Sequence, residues 1–537
     1  AIVESLASSP APPLEVWPEK ANVGRIGGIG VNGTLSHGAD PELPEIYADE
    51  QDLRVITGQA WGAIERRNAS EPSLFRFSSG IVRVEHGADG SAVLQPLNVD
   101  RVRYELARSA SWWGMRGPKG KKVKAAQMPP LDVVRDVLAT PDAPVPVIER
   151  VIGCPIFAPD GTLQTAAGYN APSRTYLAIP TSLVIPPVAD FPSWDDVLRA
   201  RSLLLDDLLE GFPFVSAADR ANAVALALEP FARAMIEGCL PLHNIEAPVA
   251  GSGKGLMAEM LLLPSCGSTL ASTTESGNED EWKKSLHALV GEGHPAILVD
   301  NVAVGMRSSV LSAALTMDFW RERTLGVSST KNYPVRCSWV MTANNPSFTR
   351  EMSRRTITTR IEPDTGHPED RTGFVHARLS TWARAHRGEL IWALCTMIRS
   401  WVVAGRQGCS KAGPGSYEAW TEVIGGILEH VGITGFLDNL VAIRDVSDDE
   451  TTAVDAFVLT WWETFEGQGV TANDLFAIAL KIPGINLGGG SEHSQKTKMG
   501  IWLGSLRDRI VCGYAVKRGR KVHNMVVWSL LPGEMAL

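Results

Sequence analysis

Long apolar runs are missing from this sequence. No uninterrupted stretch approaches the ~18–20 residues needed to cross a bilayer, and the first residues show no basic-then-apolar signal pattern. No membrane partner is therefore expected, and the expected location is cytoplasmic. The seven cysteines, at 154, 239, 266, 337, 395, 409 and 512, form no C-x-x-C pair and have no histidines at zinc spacing. That excludes a zinc-ribbon reading and points to reduced thiols in a reducing compartment. Positive charge is in deficit, with 51 Lys and Arg against 60 Asp and Glu and a net charge of −9. Such a balance argues against a protein that coats nucleic acid over its whole surface, yet leaves a local basic channel open. The first 190 residues show no cluster suited to primer synthesis, so no priming by this chain is expected.

What is present is ordinary globular material: 537 residues, 44% hydrophobic and 21% charged, long enough for three or four units. Residues 1 to about 50 are rich in Pro, Gly and Ala and read as an extended lead-in. Helical spacing over Asp52–Arg66, a strand over Phe75–Glu85 and a helix over Val99–Ala110 follow. Trp112-Trp113, Arg116 and the lysines of 119–124 make a basic, aromatic stretch, which suits either a solvated loop or the grip of a single strand. A short helix over Pro129–Leu138 precedes a small β unit built around the Asp160-Gly161 turn. From Ser193 to Glu237 the texture changes to strongly apolar helices, broken at Gly211-Phe212-Pro213, which read as a packing layer or helical collar.

The chemistry gathers around Ala247-Pro248-Val249-Ala250-Gly251-Ser252-Gly253-Lys254-Gly255, running into Leu256 and an apolar helix. Small residues let backbone N–H groups converge on a phosphate, Lys254 supplies charge, and a helix N-terminus favours the anion. The expected nucleotide contacts are Ala250, Gly251, Ser252, Gly253, Lys254, Gly255 and Leu256. Two positions depart from G-x-x-x-x-G-K-[ST]: Pro248 replaces the first glycine, and Gly255 replaces the hydroxyl that ordinarily ligates Mg²⁺. Forty-six residues after Lys254, the run Ala296–Val299 ends in Asp300-Asn301, the pattern of a buried parallel strand delivering a carboxylate to its C-terminal end. A further strand, Ser338–Asn345, ends in amides, and Arg350–Arg355 precedes an alternating strand at Thr356–Ile361.

This ordered set, Ala-Pro-x-Ala-Gly-Ser-Gly-Lys, apolar strand with Asp-Asn, Thr-Ala-Asn-Asn, and Ser-Arg-Arg before a strand, resembles superfamily 3 helicases of the AAA+ class. The likeness is to the poxvirus-type primase–helicase relatives of phages, plasmids and integrated elements, and covers roughly residues 190–375. The resemblance implies an α/β fold: an AAA+ type P-loop ATPase core with a parallel sheet (239–375), preceded by a mixed α+β N-terminal domain (1–190) and a helical collar (191–238). A helical region (376–447) and a C-terminal winged helix (448–537) follow. It also implies ATP and Mg²⁺ as cofactors, with Lys254 on the β/γ-phosphates, Asp300 holding Mg²⁺ through water and Asn344 as sensor. Arg355 or its neighbour Arg354 would act across a subunit boundary in a homo-oligomeric ring, expected to be a hexamer. Asn301 stands where many AAA+ enzymes carry a catalytic Glu, and an amide cannot take a proton, so no general base is assigned.

Helicases of this kind carry a hairpin before the sensor strand, and Phe319–Pro334 occupies that interval, with Arg321, Arg323 and Lys331 as candidate DNA contacts. Beyond the acidic break Asp445–Glu450, three helices (Ala453–Glu466, Ala472–Ala479, Lys498–Arg509) and two strands (Ile510–Val516, Lys521–Ser529) flank Lys517-Arg518-Gly519-Arg520. This reads as a winged helix with Lys517, Arg518 and Arg520 on DNA. Three functions follow as expectations. One is an ATP-driven translocase on single-stranded or forked DNA, replicating a mobile element with a primase or initiator partner. The others are a nucleotide-gated DNA-binding initiator with little turnover, and an AAA+ machine acting on protein.

Overall fold

The computed structural model describes residues 43–532 apart from 79, 119, 269, 277, 303–307, 324–329, 347, 365–366, 442–448, 483–484, 486, 488–490 and 523–524. The lead-in before residue 43, Lys119, the tip of the Phe319–Pro334 hairpin and most of the acidic break at 445–450 lie outside the described residues.

Near the N-terminus, helices Leu53–Ser70, Val99–Ser109 and Leu131–Ala139 pack in one apolar cluster with a three-stranded sheet of Glu45–Tyr47, Ser111–Arg116 and Val123–Ala126. The stretch expected as one strand over Phe75–Glu85 is instead a hairpin, Leu74–Phe77 against Gly80–His86, pairing Phe75 with Val82. Ser78 at its turn takes a left-handed backbone with φ 54°, a conformation that interrupts a strand. Strand Thr175–Leu177 runs parallel to Arg150–Ile152, and the Asp160-Gly161 turn joins two short strands as its composition suggests.

The centre of the molecule is a five-stranded sheet, parallel throughout: β1 (Leu242–Ala247), β2 (Ala271–Thr274), β3 (Ala296–Val302), β4 (Ser338–Asn344) and β5 (Thr356–Arg360), in spatial order β2-β3-β4-β1-β5. This mixed α/β arrangement fits a P-loop core. Because β4 inserts between β3 and β1, three strands far apart in sequence end side by side. Parallel strands need both faces covered, and here each face has its own apolar cluster. One contains helices α1 (Ala217–Ala232), α2 (Lys254–Cys266) and α4 (Arg387–Val403), with side chains from Cys154 to Leu440 in a common core. The other is formed with α3 (Glu279–Glu292) and the base of the hairpin.

The outward polar groups of edge strand β5 are taken up by side chains rather than left as a sticky edge. Asn222 and Asn439 donate to the Thr358 carbonyl at 2.9 and 3.1 Å, and the Arg360 N–H donates to Asp219 at 2.8 Å. On the other side of β1, the buried carboxylate of Glu229 joins His243 (3.0 Å) to the Trp420 indole N–H (2.6 Å), tying strand, helix and C-terminal helical layer together.

The Phe319–Arg323 and Thr330–Pro334 strands form the expected antiparallel hairpin, pairing Arg321 with Asn332 and Glu322 with Lys331. The final unit packs helices Asp449–Phe465, Ala472–Ala479 and Glu492–Ser505 on a four-stranded antiparallel sheet. One helix thus begins at Glu492, ahead of the expected Lys498, capped by Ser491 accepting from the Ser494 N–H. Lys517, Arg518 and Arg520 lie within strand Tyr514–Val522 rather than in the turn between strands. A register shift between Arg518 and Lys521 absorbs Gly519 without ending the strand. Among the described residues no helix is long and apolar enough to cross a membrane, and the seven cysteines are free thiols.

Candidate functional site: a phosphate-binding loop at the sheet's C-terminal edge

β1 is nearly fully buried between β4 and β5, and it feeds the loop 248–253 directly into α2. The loop closes because Gly251 and Gly253 take left-handed backbones, φ 77° and 93°, that side-chain-bearing residues rarely adopt. Ser252 folds back to donate to the Val249 carbonyl at 2.7 Å. No side chain caps α2, whose N-cap is Gly253. Its first N–H groups are thus left for a ligand, at the positive end of the helix dipole.

Lys254 is buried, 8% exposed, and its ammonium donates to the Val249 carbonyl (3.2 Å) and to Asn344 Oδ1 (2.6 Å). Burial pushes the Lys254 amine below the usual lysine range, and the charge of Asp300 pulls it back up. Asn344 is in register with Ala247 at the end of β1. One strand further on, Asp300 Oδ1 accepts from Thr342 Oγ1 at 2.5 Å, and the same hydroxyl accepts from the Asn301 backbone N–H at 2.8 Å. The register between β3 and β4 shifts across Val299–Val302, and Asn301 sits at φ 53°. A bulge of this kind re-aims side chains at a strand end. Lys254, Asp300 and Asn344 therefore meet at one edge of the sheet.

The other expected residues divide. Ala250, Gly251, Gly255 and Leu256 line the exposed lip of the loop, and a Cβ built on Gly255 would meet nothing within 4 Å. The missing hydroxyl there is a chemical difference, not a steric necessity. Arg355 is held within its own chain, donating to the Ser312 carbonyl (2.6 Å) and Ser312 Oγ and pairing with Glu351 at 2.9 Å. Its neighbour Arg354 is exposed. Arg321 is exposed on the hairpin, whereas the side chains of Arg323 and Lys331 lie outside the described residues. Arg518 and Arg520 are exposed, and Lys517 pairs with Asp508 at 3.2 Å.

Three features have no signal in the local sequence. Thr342 bridges Asp300 and Asn301, and only strand order reveals that its hydroxyl faces them. Glu275 directly follows β2, whose last residue Thr274 is in register with Asp300. Burial raises the Glu275 carboxyl above its ordinary range, and the nearby charge of Glu279 adds to the effect. A cavity of about 140 Å³ beside the loop is lined by Phe212, Leu256, Phe374, His376 and Leu379. Phe212 closes against the loop, 3.6 Å from where a Cβ on Gly253 would lie.

The site suits Mg²⁺. Asp300 offers an exposed carboxylate, the space at Gly255 admits a water, and Mg²⁺ bound to phosphates takes one or two carboxylates and several waters rather than a protein cage.

No family model matches the chain, and no curated protein matches it. Among solved structures, an apo form of the NrS-1 C-terminal region aligns at 9% identity over 80% of this chain and 98% of that chain, TM-score 0.34. A JCV helicase bound to a small molecule aligns at 15% identity over 49% of this chain and 71% of that chain, TM-score 0.21. At these scores neither likeness bears on the fold or the chemistry.

Proposed function

We propose that this chain is an ATP-dependent motor of the AAA+ class, similar to superfamily 3 helicases, that forms a ring and moves along single-stranded DNA. The observation that carries this reading is the convergence of Lys254, Asp300 and Asn344 beside an uncapped helix N-terminus. Lys254 and the loop N–H groups bind the β- and γ-phosphates. Asp300, oriented by Thr342, would hold Mg²⁺ through water, which would supply positive charge beside the transferring phosphoryl group. On nucleotide entry the Lys254 ammonium exchanges Asn344 for phosphate oxygen, which frees the Asn344 amide to orient the attacking water. Glu275 is the candidate to take that water's proton. Its raised pKa brings it towards the range in which a base works at neutral pH. The adenine stacks in the apolar cavity of Phe212 and Phe374, and the exposed Arg354, rather than the tethered Arg355, reaches the neighbouring subunit's nucleotide. The hairpin and the basic strand of the C-terminal unit, a winged helix in this reading, contact DNA.

ATP turnover measured with and without single-stranded DNA tests the proposal. DNA-stimulated phosphate release that Lys254→Ala abolishes is the expected result; tight ATP binding with no release overturns the motor. Gly255 and Asn301 favour that second reading, a nucleotide-gated DNA-binding protein, because each removes a group on which hydrolysis usually relies.

A further inference from the structure

At the opposite end of the sheet, roughly 20 Å from Lys254 given the ~3.3 Å rise of each residue in β1, a second cavity opens between the N-terminal β unit and the base of the hairpin. Its volume is about 480 Å³, within the ~300–1,000 Å³ of small-molecule sites. Four arginines line it: Arg150, Arg174, Arg233 and Arg336. Arg150 and Arg233 are 5% and 3% exposed, and neither has an ion pair with a described carboxylate. Arg150 donates to the Arg336 carbonyl at 3.2 Å. Arg233 donates to the carbonyls of Ile236 (2.7 Å), Gly238 (2.8 Å) and Val335 (3.4 Å), while its buried Nε has no partner among the described residues. Of the described carboxylates in the wall, Glu149 pairs with Arg336 at 3.1 Å and loosely with Arg174 at 3.9 Å. Glu237 and Asp318 also line the wall without holding an arginine.

The charges of Glu229 and Glu149 favour Arg233 and Arg150 without forming an ion pair with them, and a buried guanidinium is costly unless something anionic meets it. Burial, with the like charges of Arg336 and Arg150 beside it, pushes Arg233 down to about 10, and burial lowers Arg150 as well. Planar guanidinium forks match phosphate oxygens in pairs. The lining also includes the apolar Ile156, Pro159, Pro172 and Ile236, and Phe319, 52% exposed, stands where the hairpin begins, available to stack a base.

We propose that this cavity is a second phosphate-binding site, separate from the P-loop, that takes a phosphate-bearing anion carrying a base. The chemistry is shared by a free nucleotide and by the backbone of a single strand lying along the hairpin. The proposal does not rest on the ATPase reading.

The test uses the full chain carrying Lys254→Ala, so that the P-loop does not report. Pyrophosphate, ATP and fluorescein-labelled dT12 are the probes, read by titration and by hydrogen-exchange protection of segments 149–152 and 233–238. Protection by pyrophosphate and ATP identifies a nucleotide site; protection by dT12 alone identifies a strand-binding site; either supports the proposal. Arg174→Gln, at an exposed position, and Arg336→Gln are expected to weaken the responding probe about tenfold each, with Arg336→Lys restoring part of the loss. Overturning results are no protection by any probe, or unchanged affinity in the Arg174→Gln/Arg336→Gln double variant, which would leave the arginines structural only. Nucleotide binding at 248–257 in the unsubstituted chain is a separate readout, so failure of one site is not failure of the other.

Discussion

In the proposed reaction, Glu275 is the residue that would separate hydrolysis from binding. Glu275→Gln keeps the shape and removes the base, so turnover is expected to fall by about 10²–10⁴ with ATP binding unchanged, as measured by phosphate release and nucleotide titration. Its carboxyl is shifted upward, so the base form is present above that raised pKa and is lost as pH falls through it. The acid limb of the rate profile should therefore lie above the ordinary carboxylate value and vanish in Glu275→Gln. Thr342 acts through Asp300, which its hydroxyl orients at 2.5 Å. Thr342→Val leaves that carboxylate unaimed, and losses in residues of this supporting kind run to about 10–100-fold. The expected signature is a raised Mg²⁺ requirement, seen by titrating turnover against Mg²⁺ at saturating ATP.

Among the elements, β1 does two things at once: it places the P-loop, and through His243 it joins the Glu229–Trp420 pair. Glu229→Ala would leave an indole N–H and an imidazole unpartnered in the interior. Breaking a buried network of this kind costs about 3–5 kcal/mol, so a marked fall in the thermal unfolding midpoint is expected by calorimetry, with the C-terminal unit's own transition unmoved. The two strands that local pattern does not announce are β1 and β2. Leu242–Ala247 carries His243, Asn244 and Glu246, and Ala271–Thr274 contains no large apolar residue. Neither looks like the apolar run a buried parallel strand usually shows. In β1 other elements meet part of this polarity, Glu229 at His243 Nε2, Thr358 at Asn244 and Arg360 at Glu246, with Trp420 reaching Glu229, while His243 Nδ1 and Asn244 Oδ1 have no partner among the described residues. Most of those partners lie more than a hundred residues away in sequence.

For the whole molecule, the net charge of −9 means that the proposed DNA binding would depend on where the exposed cations are placed. Arg518 and Arg520 share an exposed strand with Lys517. Replacing all three with Gln is expected to lower the salt dependence of single-strand binding, by about one unit of log-log slope for each phosphate that no longer meets a cation. Fluorescence anisotropy across a salt series reads it. An unchanged slope would assign that unit to protein docking.

Local pattern alone determined a great deal here. The P-loop, the strands carrying Asp300 and Asn344, the hairpin, and the helices capped by Asn278 and Ser193 are all set by residues within a few positions of each other, where glycine conformations, caps and apolar runs act directly. Tertiary structure decided what strand order decides. It brought Thr342 to Asp300, set β2 beside β3, tied Arg355 inward while leaving Arg354 exposed, and lined one cavity with four arginines. Those outcomes depend on which distant segments become neighbours, and that is fixed by the burial of whole faces rather than by any short run of residues.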